Sequence, residues 1–286
     1  AGATQAVIEF KRAFGTIILF EAMIDDASPN YWGSTDDVVG ECHADSTFTD
    51  NTVTFSSKQS LASVTLSVYE GDRHEGKAET GVLWKPTSGS GHDVGIIRVV
   101  IDNFTVEWLD ISLDDLDLTN TNKAIVLTGT NDNCIIRNML IHDKGGNPGS
   151  NGAFMIHSIA NGASSDTITV VNNIIYNIVE TNNDAASAIN INTWQGTVNI
   201  YNNTVYNVDS AGSKNSIAYR YNGHTNQVAN VKNNIAVKIV ADSASYKRAF
   251  FDVGAGTSNV DYNLSDDTTN ATYEAQGANS LVDKTE

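Results

Sequence analysis

The chain is short of cations: 17 Lys and Arg stand against 34 Asp and Glu in 286 residues, a formal charge of -17. Nucleic-acid binding needs clustered cations to displace counterions, so that class is excluded. Anionic polysaccharides are repelled on average, except at a local basic groove. Cysteine is scarce as well. Cys42 and Cys134 are too far apart for a disulfide framework or a zinc knuckle, and free thiols are expected. Within Cys134-Ile135-Ile136 the second thiol acts as a small buried hydrophobe. No apolar run approaches the length of a membrane span, and the stretch Ile17 to Ile24 is broken by Glu21. No basic-then-apolar-then-small pattern opens the chain, so a signal peptide is expected to be absent or already removed. There is no Gly-x-Ser-x-Gly and no phosphate loop. The six histidines are scattered without metal-ligand spacing, which argues against zinc.

Asparagine, by contrast, is abundant and periodic. Five segments align on an Asn at positions 138, 173, 203, 234 and 263, about every 30 residues. They are Ile135 to Leu140, Val170 to Ile175, Ile200 to Val205, Val231 to Ala236 and Val260 to Leu264. Val106-Glu107-Trp108 fits one period earlier, with Trp108 in place of Asn. Three short β-branched or aromatic runs recur per period, bounded by turn formers and with no helical pattern between them. In one coil they are Thr167 to Val171, Ile174 to Tyr176 and Ala188 to Asn192. In the next they are Thr197 to Tyr201, Thr204 to Tyr206 and Ile217 to Tyr221. Each run must pair with its equivalent in the next coil. The expected fold is all-β, a right-handed parallel β-helix of three sheets with a short N-terminal capping helix. Residues 1–60 form the cap and first irregular strands, and residues 61–286 form the solenoid, continuous with the cap.

Coils about 4.8 Å apart let an Asn at the same turn of each coil hydrogen-bond to the one above. Asn also tolerates the left-handed backbone of a sharp turn. Asn173, Asn203 and Asn234 are expected to form the internal ladder, continued by Asn138 and Asn263, with the partner Asn of each pair making the bend.

These Asn-Asn coils, with variable loops between strands, resemble the pectate-lyase-like parallel β-helix superfamily over roughly residues 95–265. The N-terminal part, with Gly15 to Ala22, Val39-Gly40-Glu41-Cys42 and Gly71-Asp72-Arg73-His74, resembles the lead-in of β-helix proteins of phage and environmental sequences. There, the resemblance implies, a short helix covers the open end of the first coil, with Thr16 here as its N-cap. It also implies a groove along one sheet. The superfamily holds lyases, hydrolases, tailspikes, adhesins and inert spacers, so the fold alone does not select a function. The end of the chain, Asn279 to Glu286, resembles the start of a further segment, and truncation or a cap from a partner chain is one expectation.

Strict strand alternation, with Ile189 and Ile191 inward, points Asn190 and Asn192 outward. Stacking then aligns His157, Asn192, Arg220 and Asp252 in one outward column: a base, an amide, a cation and a carboxylate. A second column holds Met155, Asn190, Ala218 and Phe250. A lyase of uronate sugars needs a neutralised carboxylate and a base, roles open to Arg220 and to His157 or Lys247. The plainer reading is a ladder of solvated polar residues. Asp252 has no carboxylate partner there, as a hydrolase would need. Asp110, Asp114, Asp115 and Asp117 are candidate calcium ligands, although their alternation with leucines suits a strand or turn with its acids in solvent. Trp194, Tyr219 and Tyr221 are candidates for stacking on sugar rings, or else fill the interior. Two functions therefore stand side by side. One is a non-enzymatic structural or adhesive protein of a virion or an extracellular surface, contacting glycans, itself or other surface proteins, without a cofactor. The other is a polysaccharide lyase acting on uronate-containing glycans.

Overall fold

The computed structural model describes residues 15–25, 35–87, 95–114, 123–129, 132–144, 152–159, 162–181, 185–191, 194–211, 214–242, 246–266 and 277–282. They form three parallel sheets of eight, eight and seven strands, wound as one β-solenoid. Each strand pairs in parallel with its equivalent one coil away. The first sheet runs from Asp37–Cys42 to Thr257–Asp261, the second from Leu83–Trp84 to Leu281–Val282, and the third from Val53–Phe55 to Lys247–Asp252. The first strand of the first sheet, Asp37–Cys42, pairs with Ser63–Val68.

The alternation of β-branched residues explains the winding. In the first sheet Leu66, Val106, Ile136, Val170, Ile200, Val231 and Val260 stack in register and point inward. Ile111, Ile141, Ile175 and Val205 do the same in the second sheet. In the third sheet Val53, Ile97, Ile125, Ile156, Ile189, Tyr219 and Phe250 form the column. All but Val260 are fully buried. Each aliphatic side chain so enclosed contributes about 1.5–3 kcal/mol, and no coil encloses its own residues without the next.

A helix at Ile17–Asp25 closes the N-terminal end. Thr16 Oγ1 accepts from the Leu19 N–H at 3.3 Å, and Asp50 Oδ2 accepts from the Ile17 N–H at 3.2 Å, so the first turn is capped twice. Ile17, Phe20 and Ile24 are buried. Phe20 lies over Gly40, where a Cβ would come within 2.6 Å of its ring, and meets Phe55 edge-on at 6.4 Å. The helix thus sits on the first strands of two sheets.

The bend between the first and second sheets repeats a left-handed residue: Trp108, Asn138, Asn172, Asn202, Asn233 and Tyr262 all have φ between 54° and 65°. The residue after each bend carries the ladder. Asn173 Nδ2 donates to Asn203 Oδ1 at 2.9 Å, Asn203 Nδ2 to Asn234 Oδ1 at 3.0 Å, and Asn234 Nδ2 to Asn263 Oδ1 at 3.1 Å. Each Oδ1 also accepts the backbone N–H one coil back, from Met139, Asn173, Asn203 and Asn234 at 2.9–3.0 Å. Asn138 is not a rung. Leu140 pairs with Ile174, which puts Met139 opposite Asn173 and Asn138 at the bend. The step there is 34 residues, one fewer than an alignment on Asn138 requires.

Two further ladders run through the solenoid. In the second sheet, Asn207 Nδ2 donates to Asn177 Oδ1 at 2.9 Å and Asn177 Nδ2 to Asp143 Oδ1 at 2.8 Å, with φ of 55–59° at all three. These residues turn the strand midway. The runs beginning at Ile174 and Thr204 consequently continue past Tyr176 and Tyr206, to Glu180 and Ser210. On the outside of the first sheet, Asn259, Asn230 and Asn199 chain at 2.9 Å each, and Asn199 reaches Thr169 at 3.3 Å.

Candidate functional site

The third sheet kinks once per coil, and the kink decides what faces out. In Ala153–Ser158 both Met155 and Ile156 are buried, so Phe154 and His157 emerge on the same face with rings 4.8 Å apart. Ala188 with Ile189, Ala218 with Tyr219, and Ala249 with Phe250 repeat the inward pair. Two outward columns result. One holds Lys123, Phe154, Ser187, Ile217 and Arg248; the other holds Arg98, Val126, His157, Asn190, Arg220 and Phe251.

The column deduced from strict alternation is therefore corrected. His157 and Arg220 do share a column, but Asn190 stands between them, not Asn192, which lies outside the described residues. Arg220 is followed by Phe251. Asp252 pairs with Tyr221 and shapes a turn: its Oδ1 accepts from Asn222 Nδ2 and the Gly254 N–H, both at 2.7 Å, and its Oδ2 accepts from Ser258 Oγ at 2.5 Å. Met155, Ala218 and Phe250 face inward.

The outward face gathers unsatisfied polarity. Asn190 is 1% exposed and its Oδ1 has no hydrogen-bond partner. Arg220, half-buried, has an unpartnered Nε. The guanidinium groups of Arg220 and Arg248 lie 5.4 and 4.0 Å from the centroid of the Phe251 ring. Burial, and then the charge of Arg248, lower the proton affinity of Arg220. Lys247 begins the neighbouring strand, paired with Ser216.

Trp194, Tyr219 and Tyr221 are fully buried and fill the interior instead of forming a sugar ledge. Tyr219 stacks on Phe250 at 4.8 Å, and its hydroxyl donates to the carbonyls of Asn203 and Ile235 at 2.9 and 2.8 Å. Of the other tyrosines, Tyr206 is 44% exposed and has Lys238 5.7 Å from its ring centroid.

The acidic stretch departs from expectation at its first member. Asp110 is fully buried, not solvated. Its Oδ1 is 2.7 Å from His142 Nε2, and its Oδ2 accepts the Glu79 N–H at 2.7 Å. His142 Nδ1 is 2.7 Å from Asp143 Oδ2, and Tyr176 stacks on the imidazole at 5.0 Å. Burial alone disfavours the imidazolium, but the bonds to Asp110 and Asp143 outweigh it and raise the His142 pKa. Burial, with Asp143, Asp110 and Glu79, pushes the Tyr176 phenol up to about 12. Asp114 pairs with Lys85 at 3.0 Å and with Ser112 at 2.9 Å. Asp115 and Asp117 lie outside the described residues. No cluster of His, Cys, Asp or Glu suited to a metal occurs among the described residues.

Sequence reasoning missed the His142 cluster and the second ladder. A signal for the ladder existed: Asn172 and Asn177 recur as Asn202 and Asn207, the same five residues apart. Nothing local marks His142, because Asp110 comes from the preceding coil. Both cysteines are free and buried, and burial pushes both thiols up to about 12. No helix among the described residues is long and apolar enough to cross a membrane. Comparison with protein-family models, with curated proteins and with solved structures found no match.

Proposed function

We propose that the chain is a non-enzymatic structural or adhesive solenoid, working as a rigid element of a virion or an extracellular surface. One observation carries this reading. The Asn173–Asn263 ladder is buried, and Asn173, Asn203 and Asn234 each bond both to the next amide and to the backbone, which ties the coils from Met139 to Asn263 together. Such bonds, shielded from water, resist separation of the coils. The charge of -17 supports solubility of an elongated body. Among the catalytic candidates, Asp252 is committed to its turn.

The alternative, a lyase, rests on His157 and Arg220 sharing one outward column. The experiment that separates the two mixes the protein with a panel of uronate polysaccharides, with and without calcium, and follows the ultraviolet absorbance of the unsaturated product. The structural reading expects a flat trace with retention on a glycan-bearing surface or on its own kind. A steady rise that disappears in Arg220→Ala would replace it with the lyase.

A further inference from the structure

Buried or half-buried arginines in proteins stand beside carboxylates, because a guanidinium taken from water needs an acceptor. Arg220 has none. Among the described residues it makes no ion pair or side-chain hydrogen bond, and its Nε is shut off from solvent without a partner. A second arginine, Arg248, is placed on the same Phe251 ring. In a chain with twice as many acids as bases, two guanidinium groups meet at one ring. One strand earlier in the same column, the Asn190 side chain is 1% exposed and its carbonyl oxygen is unpartnered. The amide can turn by half a rotation to present Nδ2 instead, so it can meet either an anionic oxygen or a hydroxyl. The partly exposed members of the face, Phe154, His157, Arg220, Arg248 and Phe251, leave it open to a ligand.

We propose that the outer face of the third sheet at Asn190 and Arg220, beside the Phe251 ring, is an oxyanion-binding site. Its ligand is a carboxylate or sulfate group held by the Arg220 guanidinium fork, with Asn190 as the neutral contact. The fork geometry suits a planar or tetrahedral oxyanion and is not reproduced by lysine. The site is independent of the structural reading: a rod with this face binds anions whether or not it bears load, and no bond is made or broken in the ligand.

The test is calorimetric titration of the full chain at low ionic strength with sodium sulfate, glucuronate and glucose. Both anions are expected to bind and glucose is not. Arg220→Gln is expected to weaken binding at least about tenfold, the loss of one charge-assisted contact. Asn190→Ala is expected to weaken it less. Sulfate binding as tightly as glucuronate makes a free ion the ligand; tighter glucuronate makes it an acid on a hydroxylated carrier, with Asn190 accepting from the hydroxyl. Should Arg220→Gln misfold by circular dichroism, protection of Arg220 from phenylglyoxal by sulfate, read by peptide mass on the unaltered chain, replaces it. Failure of both anions to bind, or equal binding by folded Arg220→Gln, or no protection, overturns the site. A flat lyase trace leaves this result untouched.

Discussion

Asn203 donates to Asn234 Oδ1 and to the Val170 carbonyl, and accepts from both nitrogens of Asn173. Removing its amide strands buried partners on two coils at once. Each unsatisfied group costs about 1–3 kcal/mol. Asn203→Ala is expected to lower unfolding stability by about 2–4 kcal/mol in urea titration, whereas Asn199→Ala, on the outer ladder, costs below about 1 kcal/mol. Equal losses would mean that burial adds nothing to the ladder. His142 offers a pH test. Its pKa in the folded chain is raised above the unfolded value of about 6.5. Its stabilisation is therefore full below about pH 6.5 and is lost as pH rises through the folded value. Facing groups are Asp110, Asp143 and Tyr176, with Glu79 bonded to Asp110 through its backbone. The urea midpoint of the wild type should fall across that range, and the fall should flatten in His142→Gln. Parallel profiles would remove the imidazolium from the account.

At the scale of elements, the capping helix and the kinked third sheet depend on single side chains. Phe20 links the helix to Gly40 and to the Phe55–Phe104 pair, whose centroids are 4.6 Å apart. Phe20→Ala is expected to cost about 3 kcal/mol and to promote association, read by light scattering, because the apolar end of the first coil is uncovered. Leu19, 51% exposed on the same helix, should tolerate alanine within about 0.5 kcal/mol. A helix that only decorated the end would show no difference between the two. The kink has another consequence. Inward pairs such as Met155 with Ile156 send residues three apart to one face, which no two-residue alternation anticipates.

In the molecule as a whole, strands pair only with those of adjacent coils, and among the described residues only the segment around His74 reaches further, to the Asn138 carbonyl at 2.8 Å, so stability is close to a sum of coil terms and interfaces. Hydrogen exchange should be slowest in the middle coils, around Ile168 and Val198, and faster toward Val39 and Ser265, each near an end of its sheet. Uniform exchange along the solenoid would instead mean that it opens as one unit.

The sequence alone determined the period, the three strands per coil, the bend asparagines and the internal ladder. All of these recur at fixed spacing, and their physics is local: β-branched strands, left-handed turns and equivalent residues in adjacent coils. It was off by one at Asn138, because that coil carries a single Asn, which makes the bend and leaves Met139 opposite Asn173. It also treated Asp110 as solvated and left Tyr219 open between a sugar platform and an interior filler, since exposure depends on what another coil lays over a residue. Only the tertiary structure decided the outward register of the third sheet, the clamp of Asp110 and Asp143 on His142, and the meeting of Arg220 with Arg248 at Phe251. Each of these depends on a kink or on residues about 30 apart, and the packing of coil on coil sets both.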